Sequence, residues 1–289
     1  MDTIFTRQNE QKNIDLLCAQ RQLYTEAKEG YLWQIWLTCP VAIFLGLLKL
    51  ILSIWHIDIN GIVIFCTIVV AMTDLLLLIY VINDNKKKAA KVQEEFDCTV
   101  YPLSWNEDFV ASKNSTAVVT KYSNRYKKRV ADLNNLYDWY PIELAKYEGN
   151  KLILHCQKVN MIYDKEIRQR FRVLALKVSI IPLVVLLLAS VLINPTMQTA
   201  LVMIAVFLPL LWIGIKTSID QKKSISYSEE TETIINRLLK TEDPGEKSIR
   251  SVQDRIYNNR IGSVFIPDGY YIKVRDELEK EMHDNAERA

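Results

Sequence analysis

Apolar and polar residues segregate along this chain in blocks of tens of residues. Four nearly unbroken apolar blocks occupy residues 31–55, 61–82, 173–193 and 199–219. A helix rises 1.5 Å per residue, so about 20 residues cross a hydrocarbon core of ~30 Å. A core helix of a soluble domain would keep a polar face at this length, and these blocks keep almost none. The pattern predicts an all-α integral membrane protein with four transmembrane helices in two hairpins, 31–82 and 173–219. Three polar regions remain: a leading helix over 1–30, a central helical region over 83–172 and C-terminal helices over 220–289.

Lysine and arginine orient the blocks, because loops rich in them stay in the cytoplasm. The two hairpin tips, His56-Ile57-Asp58-Ile59-Asn60 and Asn194-Pro195-Thr196-Met197-Gln198, hold neither residue. The leading segment holds Arg7, Lys12, Arg21 and Lys28. The central region holds Lys86, Lys87, Lys88, Lys127, Lys128, Arg129, Arg168, Arg170 and Arg172, and the tail opens with Lys222 and Lys223. Both tips are therefore expected outside, with the N-terminus, the central region and the C-terminus in the cytoplasm. Tyr31, Trp33 and Trp55 suit the aromatic belts of a bilayer. The first 29 residues are polar and show no apolar h-region, so no cleavable signal peptide is expected.

The polar regions read as helices with clear punctuation. Leu16, Leu17, Leu23, Tyr24 and Ala27 share one face of an amphipathic helix, which packs on other cytoplasmic helices or lies on the membrane. The second span is expected to continue as a helix over 83–97 and to break at Tyr101-Pro102. Further helices are expected over 115–135 and from Ile142 into the third span. Asp243-Pro244-Gly245-Glu246 predicts a helix start, with Asp243 as the capping acid and Pro244 at the first helical position. Ile249, Val252 and Ile256 share the apolar face of that helix, which ends near Gly262. A last helix starts at Ile266-Pro267-Asp268, with Tyr271, Val274, Leu278 and Met282 in register.

Composition narrows the function. Net charge is only +2, so nothing argues for wrapping DNA or RNA, and no direct binding to either is expected. The five cysteines, Cys18, Cys39, Cys66, Cys98 and Cys156, show no CxxC spacing and read as reduced thiols. His56, His155 and His283 are scattered, so no metal site is expected. No paired-carboxylate, Ser/His/Asp, HExxH, Walker or GxGxxG motif occurs, which argues against an enzyme. The adjacent His155 and Cys156 point about 100° apart on a helix and make a poor dyad.

Within the blocks, Asp74 is the one acid far from either end, about 20 Å below the outer boundary at 1.5 Å per residue. An ionisable group at that depth is either functional or a hydrogen-bonding link between helices, and both readings stay open. Pro40, Pro182 and Pro209 each free a backbone carbonyl and can kink a span, as a gate requires, although such prolines are also ordinary in membrane helices. The other polar positions are too sparse for one copy to line an aqueous path. A pore would need several copies, so a homo-oligomer within the lipid bilayer is expected.

Several segments together resemble a known family. They are Arg7-Gln8-Asn9 with Leu17-Cys18-Ala19-Gln20-Arg21-Gln22-Leu23-Tyr24, then Gln93-Glu94-Glu95-Phe96-Asp97 with Leu103-Ser104-Trp105-Asn106, then Leu136-Tyr137-Asp138-Trp139-Tyr140-Pro141. They continue with Cys156-Gln157-Lys158-Val159-Asn160, Tyr163-Asp164 and Arg168, and close with Val252-Gln253-Asp254-Arg255-Ile256-Tyr257-Asn258-Asn259-Arg260 and Ile266-Pro267-Asp268. In order and layout the chain resembles the bacterial SMODS-associated four-transmembrane family of pore-forming effectors, which accompany cyclic-oligonucleotide anti-phage signalling of the CBASS type. It departs from the family pattern at Lys158, Met161, Ile162, Gly269 and Tyr270.

The resemblance implies an effector in the bacterial inner membrane. A partner nucleotidyltransferase would make a cyclic oligonucleotide during infection, and the spans would then open or assemble and stop growth. Arg and Lys suit phosphate, and aromatic faces suit bases. The ligand-binding candidates that follow are Trp105, Asn106, Trp139, Tyr140, Gln157, Asn160, Arg168, Gln253, Tyr257 and Arg260. At least half of such polar motif residues are expected to bridge cytoplasmic helices instead. Asp74, Pro40, Pro182 and Pro209 are the pore and gate candidates. The competing class is a membrane-anchored scaffold or sensor subunit whose spans only anchor it; an ordinary transporter ranks last for want of polar residues in the spans.

Overall fold

The computed structural model describes residues 3–54, 60–193 and 197–288. Their regular structure is entirely helical, with no strand among them. A short α1 (Ile4–Arg7) precedes α2 (Gln11–Ile54), then α3 (Asn60–Leu76), a π-helical stretch (Leu77–Asn83) and α4 (Asp84–Val100). Next come α5 (Glu107–Val110) and α6 (Thr116–Arg129), two 3-10 turns (Asn134–Leu136 and Ile142–Lys146), and α7 (Gly149–Ile193). The chain closes with α8 (Met197–Leu239), α9 (Glu246–Gly262) and α10 (Asp268–Arg288).

Burial along the long helices changes halfway. In the first part of α2, Ile14, Leu17, Cys18, Ala19, Leu23 and Ala27 are fully buried. Further along the same helix Trp33, Trp36 and Phe44 are 71%, 68% and 63% exposed. Helix α7 repeats this, with Leu154 and Cys156 buried and Val185 and Leu188 exposed. Helix α8 reverses the order, as a hairpin must, with Trp212 exposed and Ile235 buried. Large apolar side chains standing exposed in rows are costly in water and comfortable in hydrocarbon. The molecule thus has an apolar stem and a packed polar-surfaced head. One helix among the described residues, Ile64–Val100, is long and apolar enough to cross a membrane.

The head is built where α2 packs on α4 and α6, α7 packs on α8, and α9 wedges against α4, α7 and α8. Its main core joins Phe96, Tyr101, Leu136, Tyr140, Leu144 and Ile256. Two glycines permit close approaches. A Cβ at Gly30 would lie 3.1 Å from the Val81 side chain, where α2 meets the π-helical stretch. One at Gly214 would lie 2.1 Å from Ser179 Oγ, so α7 and α8 could not keep their spacing with any other residue there.

Several expectations are met. The leading amphipathic helix packs into the head, the second apolar block runs on as α4, and the helix breaks after Val100. Ile249, Val252 and Ile256 are buried, and so is Leu278 of the last helix.

Three boundaries differ. Helix α6 stops at Arg129 instead of near 135, because Val130 is extended (φ −121, ψ 116). Asp132 Oδ1 then accepts the Asn134 amide at 2.9 Å to start the 3-10 turn. Helix α7 starts at Gly149 (φ +54), and the stretch from Ile142 is a separate 3-10 turn. Helix α9 is capped by Gly245 and not by Asp243; the Pro244 carbonyl accepts from Asn150 Nδ2 at 3.0 Å, which ties this corner to α7.

Pro40 lies within α2, which continues through it. The side chains of Asp74, Pro182 and Pro209 lie outside the described residues, as do 55–59 and 194–196 of the two hairpin tips.

Candidate functional site

A cavity of about 460 Å³ opens in the head between α2, α4, the 134–139 turn, α7 and α10. That is within the size range of small-molecule sites. Helix α2 contributes Gln20, Arg21, Tyr24 and Lys28, which its 3.6-residue period brings onto one face. Helix α4 contributes Lys86 and Gln93, and α7 contributes Asn160, Tyr163, Asp164 and Arg168. Arg260, Phe265, Asp268 and Tyr271 come from α9, the following linker and α10.

Five cations line this space. Three are tied to carboxylates: Arg168 Nε to Asp164 at 2.7 Å, Lys28 Nζ to Asp268 at 2.6 Å and Arg260 Nη1 to Asp97 at 2.7 Å. Arg168 also donates through Nη1 to Gln221 Oε1 at 2.8 Å and to the Val264 carbonyl at 2.9 Å. It thereby joins α7, α8 and the α9–α10 linker at the cavity wall.

The other two have no carboxylate partner among the described residues. The Arg21 guanidinium lies 5.5 Å from the Trp139 ring centre and 5.0 Å from that of Tyr271, whose hydroxyl accepts from Nη2 at 3.0 Å. Lys86 Nζ lies 5.4 Å from the Phe265 ring centre. Burial, and then the nearby Arg168 charge, push the Lys86 ammonium down to about 8. Burial also lowers Lys28, against the pull of Asp268. Three buried polar atoms on this wall, Gln20 Oε1, Arg21 Nε and Tyr163 Oη, have no hydrogen-bond partner among the described residues. Orphaned polar atoms beside unbalanced cations are the chemistry of a site that receives an anion with its own hydrogen-bonding groups.

The residues singled out from sequence divide between this cavity and its surroundings. Trp139, Asn160, Arg168 and Arg260 line it. Tyr140, Gln157 and Gln253 are buried beside it in a network around two acids. Gln253 Nε2 donates to Glu94 and to Asp97, at 2.8 Å each, and Gln253 Oε1 accepts from Gln157 at 3.0 Å. Tyr140 Oη donates to Asp97 at 3.0 Å and accepts from Asn160 at 3.1 Å. Arg250 pairs with Glu94 and, at 2.9 Å, with Asp254.

Trp105, Asn106 and Tyr257 stand farther out. Trp105 Nε1 donates to the Ala111 carbonyl at 2.9 Å. Asn106 caps α5 and donates to Asp254 at 2.8 Å, and Tyr257 packs against Phe109. Arg21, Lys28, Lys86 and Tyr271 line the cavity without having been singled out as binding residues. The spacing of Arg21, Tyr24 and Lys28 was a readable signal, since it puts two cations and a ring on one helix face.

The described residues hold no cluster of His, Cys, Asp or Glu able to take a metal. The arrangement can hold and orient a ligand with anionic groups and flat apolar faces.

A Bacillus cereus (strain VD146) protein described as a "probable CBASS effector molecule" is 26% identical over 295 residues, covering 96% of each chain. No solved structure matches. The match to the SMODS-associating 4TM effector domain runs over residues 2–289, and the chain belongs to that family of effectors.

Proposed function

We propose that this protein is a membrane effector of anti-phage defence whose head cavity receives a cyclic oligonucleotide made by a partner nucleotidyltransferase. In this reading the four apolar blocks, 31–55, 61–82, 173–193 and 199–219, span the bacterial inner membrane as two hairpins, with both termini in the cytoplasm. Several copies assemble in the bilayer, and ligand binding opens or assembles a pore that arrests or kills the infected cell.

One observation carries the reading: α2 and α7, which wall much of the cavity, run on without a break into the apolar stem. Arg21 and Trp33 belong to α2, and Arg168 and Leu188 belong to α7. A rigid helix transmits displacement at one end to the other, so a ligand that moves Arg168 would also move α7 and, through Gln221, α8. Polar contacts below the stem reinforce that coupling, with Arg172 Nε donating to Ser218 Oγ at 3.1 Å and Lys165 pairing with Glu232 at 2.8 Å.

The test is dye leakage from liposomes carrying the purified full chain, with and without a panel of cyclic di- and trinucleotides. Leakage that depends on one nucleotide and is abolished by Arg168→Gln is the expected result. Folded, inserted protein that never leaks, with any nucleotide, would shift the assignment to a membrane-anchored scaffold or sensor.

A further inference from the structure

Four of the five cations at the cavity group in two pairs, Lys86 with Arg168 and Arg21 with Lys28. Lys86 and Arg168 flank the linker before α10: Arg168 donates to the Val264 carbonyl, and Lys86 lies over the Phe265 ring. Arg21 and Lys28 reach the first turns of α10, Arg21 at the Tyr271 hydroxyl and Lys28 at Asp268. In each pair one cation has a carboxylate and the other has none. Asp164 balances Arg168 and Asp268 balances Lys28, leaving Lys86 and Arg21. The fifth cation, Arg260, is held by Asp97. The other lining carboxylates are engaged elsewhere, Asp138 by Asn9 at 2.8 Å and Glu279 by Arg275 at 3.6 Å. Neither is placed to balance Lys86 or Arg21 by an ion pair.

A ring face is a weak substitute for an anion in a half-buried site. Among the described residues, Arg21 Nε has no acceptor. The depressed Lys86 ammonium agrees, since an anion beside it would hold its proton. Phosphodiesters match these two places: each carries one full negative charge and acceptor oxygens for N–H donors.

Resting on the cyclic-nucleotide reading above, we infer that the cavity takes a ligand with two separated phosphodiester charges, one against Lys86 and the other against Arg21. Two sources supply that chemistry. One is a cyclic dinucleotide from the cytoplasm. The other is a diphosphatidyl lipid of the bilayer, reached because α2, α4 and α7 connect the cavity to the apolar stem.

The experiment is calorimetric titration of the full chain in detergent with four probes. These are a cyclic mononucleotide, a cyclic dinucleotide, a cyclic trinucleotide, and a diphosphatidyl lipid in mixed micelles. A two-charge probe should bind about tenfold or more tighter than the cyclic mononucleotide, the scale of one added charge-assisted contact. Lys86→Gln and Arg21→Gln should each weaken the two-charge probe by about tenfold to a hundredfold, with melting checked to show that both variants fold. They should leave the mononucleotide within about threefold, because the other cation still serves it.

A mononucleotide that binds as tightly as the dinucleotide, a trinucleotide that binds tighter, or variants that leave binding unchanged would overturn the inference while the nucleotide reading stands. Binding of the lipid alone, through Lys86 and Arg21, would keep the inference and remove the nucleotide reading. No binding of any probe by folded protein would remove both.

Discussion

Two polar regions adjoin each other in the head, and they differ in how completely they are paired. Between α4 and α9, the Glu94 and Asp97 carboxylates are fully buried and meet Arg250, Arg260, Gln253 and Tyr140. On the far side of Arg260, the cavity leaves Arg21 and Lys86 facing rings instead of carboxylates. Burying a charge is tolerable only when a partner and hydrogen bonds replace the lost water. The network supplies both acids with cations and hydrogen bonds from its own residues and so ties the head together, although burial still lifts the Glu94 carboxyl above its usual range and Gln157 Oε1 is left without a hydrogen-bond partner. The cavity gives Arg21 and Lys86 no carboxylate partner among the described residues.

The largest effect should come from breaking the network. Arg250→Met leaves Glu94 buried and short of its closest cation, which costs about 3–5 kcal/mol. Thermal unfolding in detergent measures this, and a loss under ~1 kcal/mol would show that the pairing contributes little. Lys86→Met should act in the opposite direction. It removes a cation with no carboxylate partner and should stabilise the ligand-free protein by about 1–2 kcal/mol, after allowing for partial exposure. Destabilisation instead would mean that Lys86 is already balanced, and the contrast between the two regions would fail.

The same lysine sets a pH signature. Its folded value near 8 lies below the ordinary 10.5, so between those values the unfolded chain binds more protons. Stability should rise with pH across that window, and Lys86→Met should flatten the rise. A second signature of the same sign sits on α7, at His155. His155 stacks on Tyr147 at 3.6 Å between ring centres, and burial pushes it down to about 4 from 6.5. Its neutral form suits the fold, so stability present above pH 6.5 should be lost as pH falls toward 4. His155→Gln should remove about 1 kcal/mol of that acid sensitivity.

Much of the architecture was legible in the chain. The apolar blocks announced the long stem helices, and periodicity placed Ile249, Val252 and Ile256 in the core, where they are fully or almost fully buried. Tyr101-Pro102 marked the end of α4. Helix ends that rest on one residue's backbone were harder. Neither the extended Val130 nor the Gly149 turn has a local pattern strong enough to set it. The candidate site was legible in part. Trp139, Asn160, Arg168 and Arg260 were selected for residue type and line the cavity. Gln253 and Tyr140 have the same chemistry and are consumed by the network. Residue type cannot separate these cases, because it says what a side chain can bond and not what stands beside it.

By itself, the sequence predicted a helical chain, marked out four apolar segments, and placed most of its cations outside them. These are sums over local composition and period, and hydrophobic transfer depends on little else. Only the tertiary structure decided which charges are spent. Glu94 meets Arg250 across 156 positions and Arg21 meets Tyr271 across 250. Such pairings depend on helix crossings that no local window contains. A charge becomes structural or available for a ligand according to whether the fold brings it a partner.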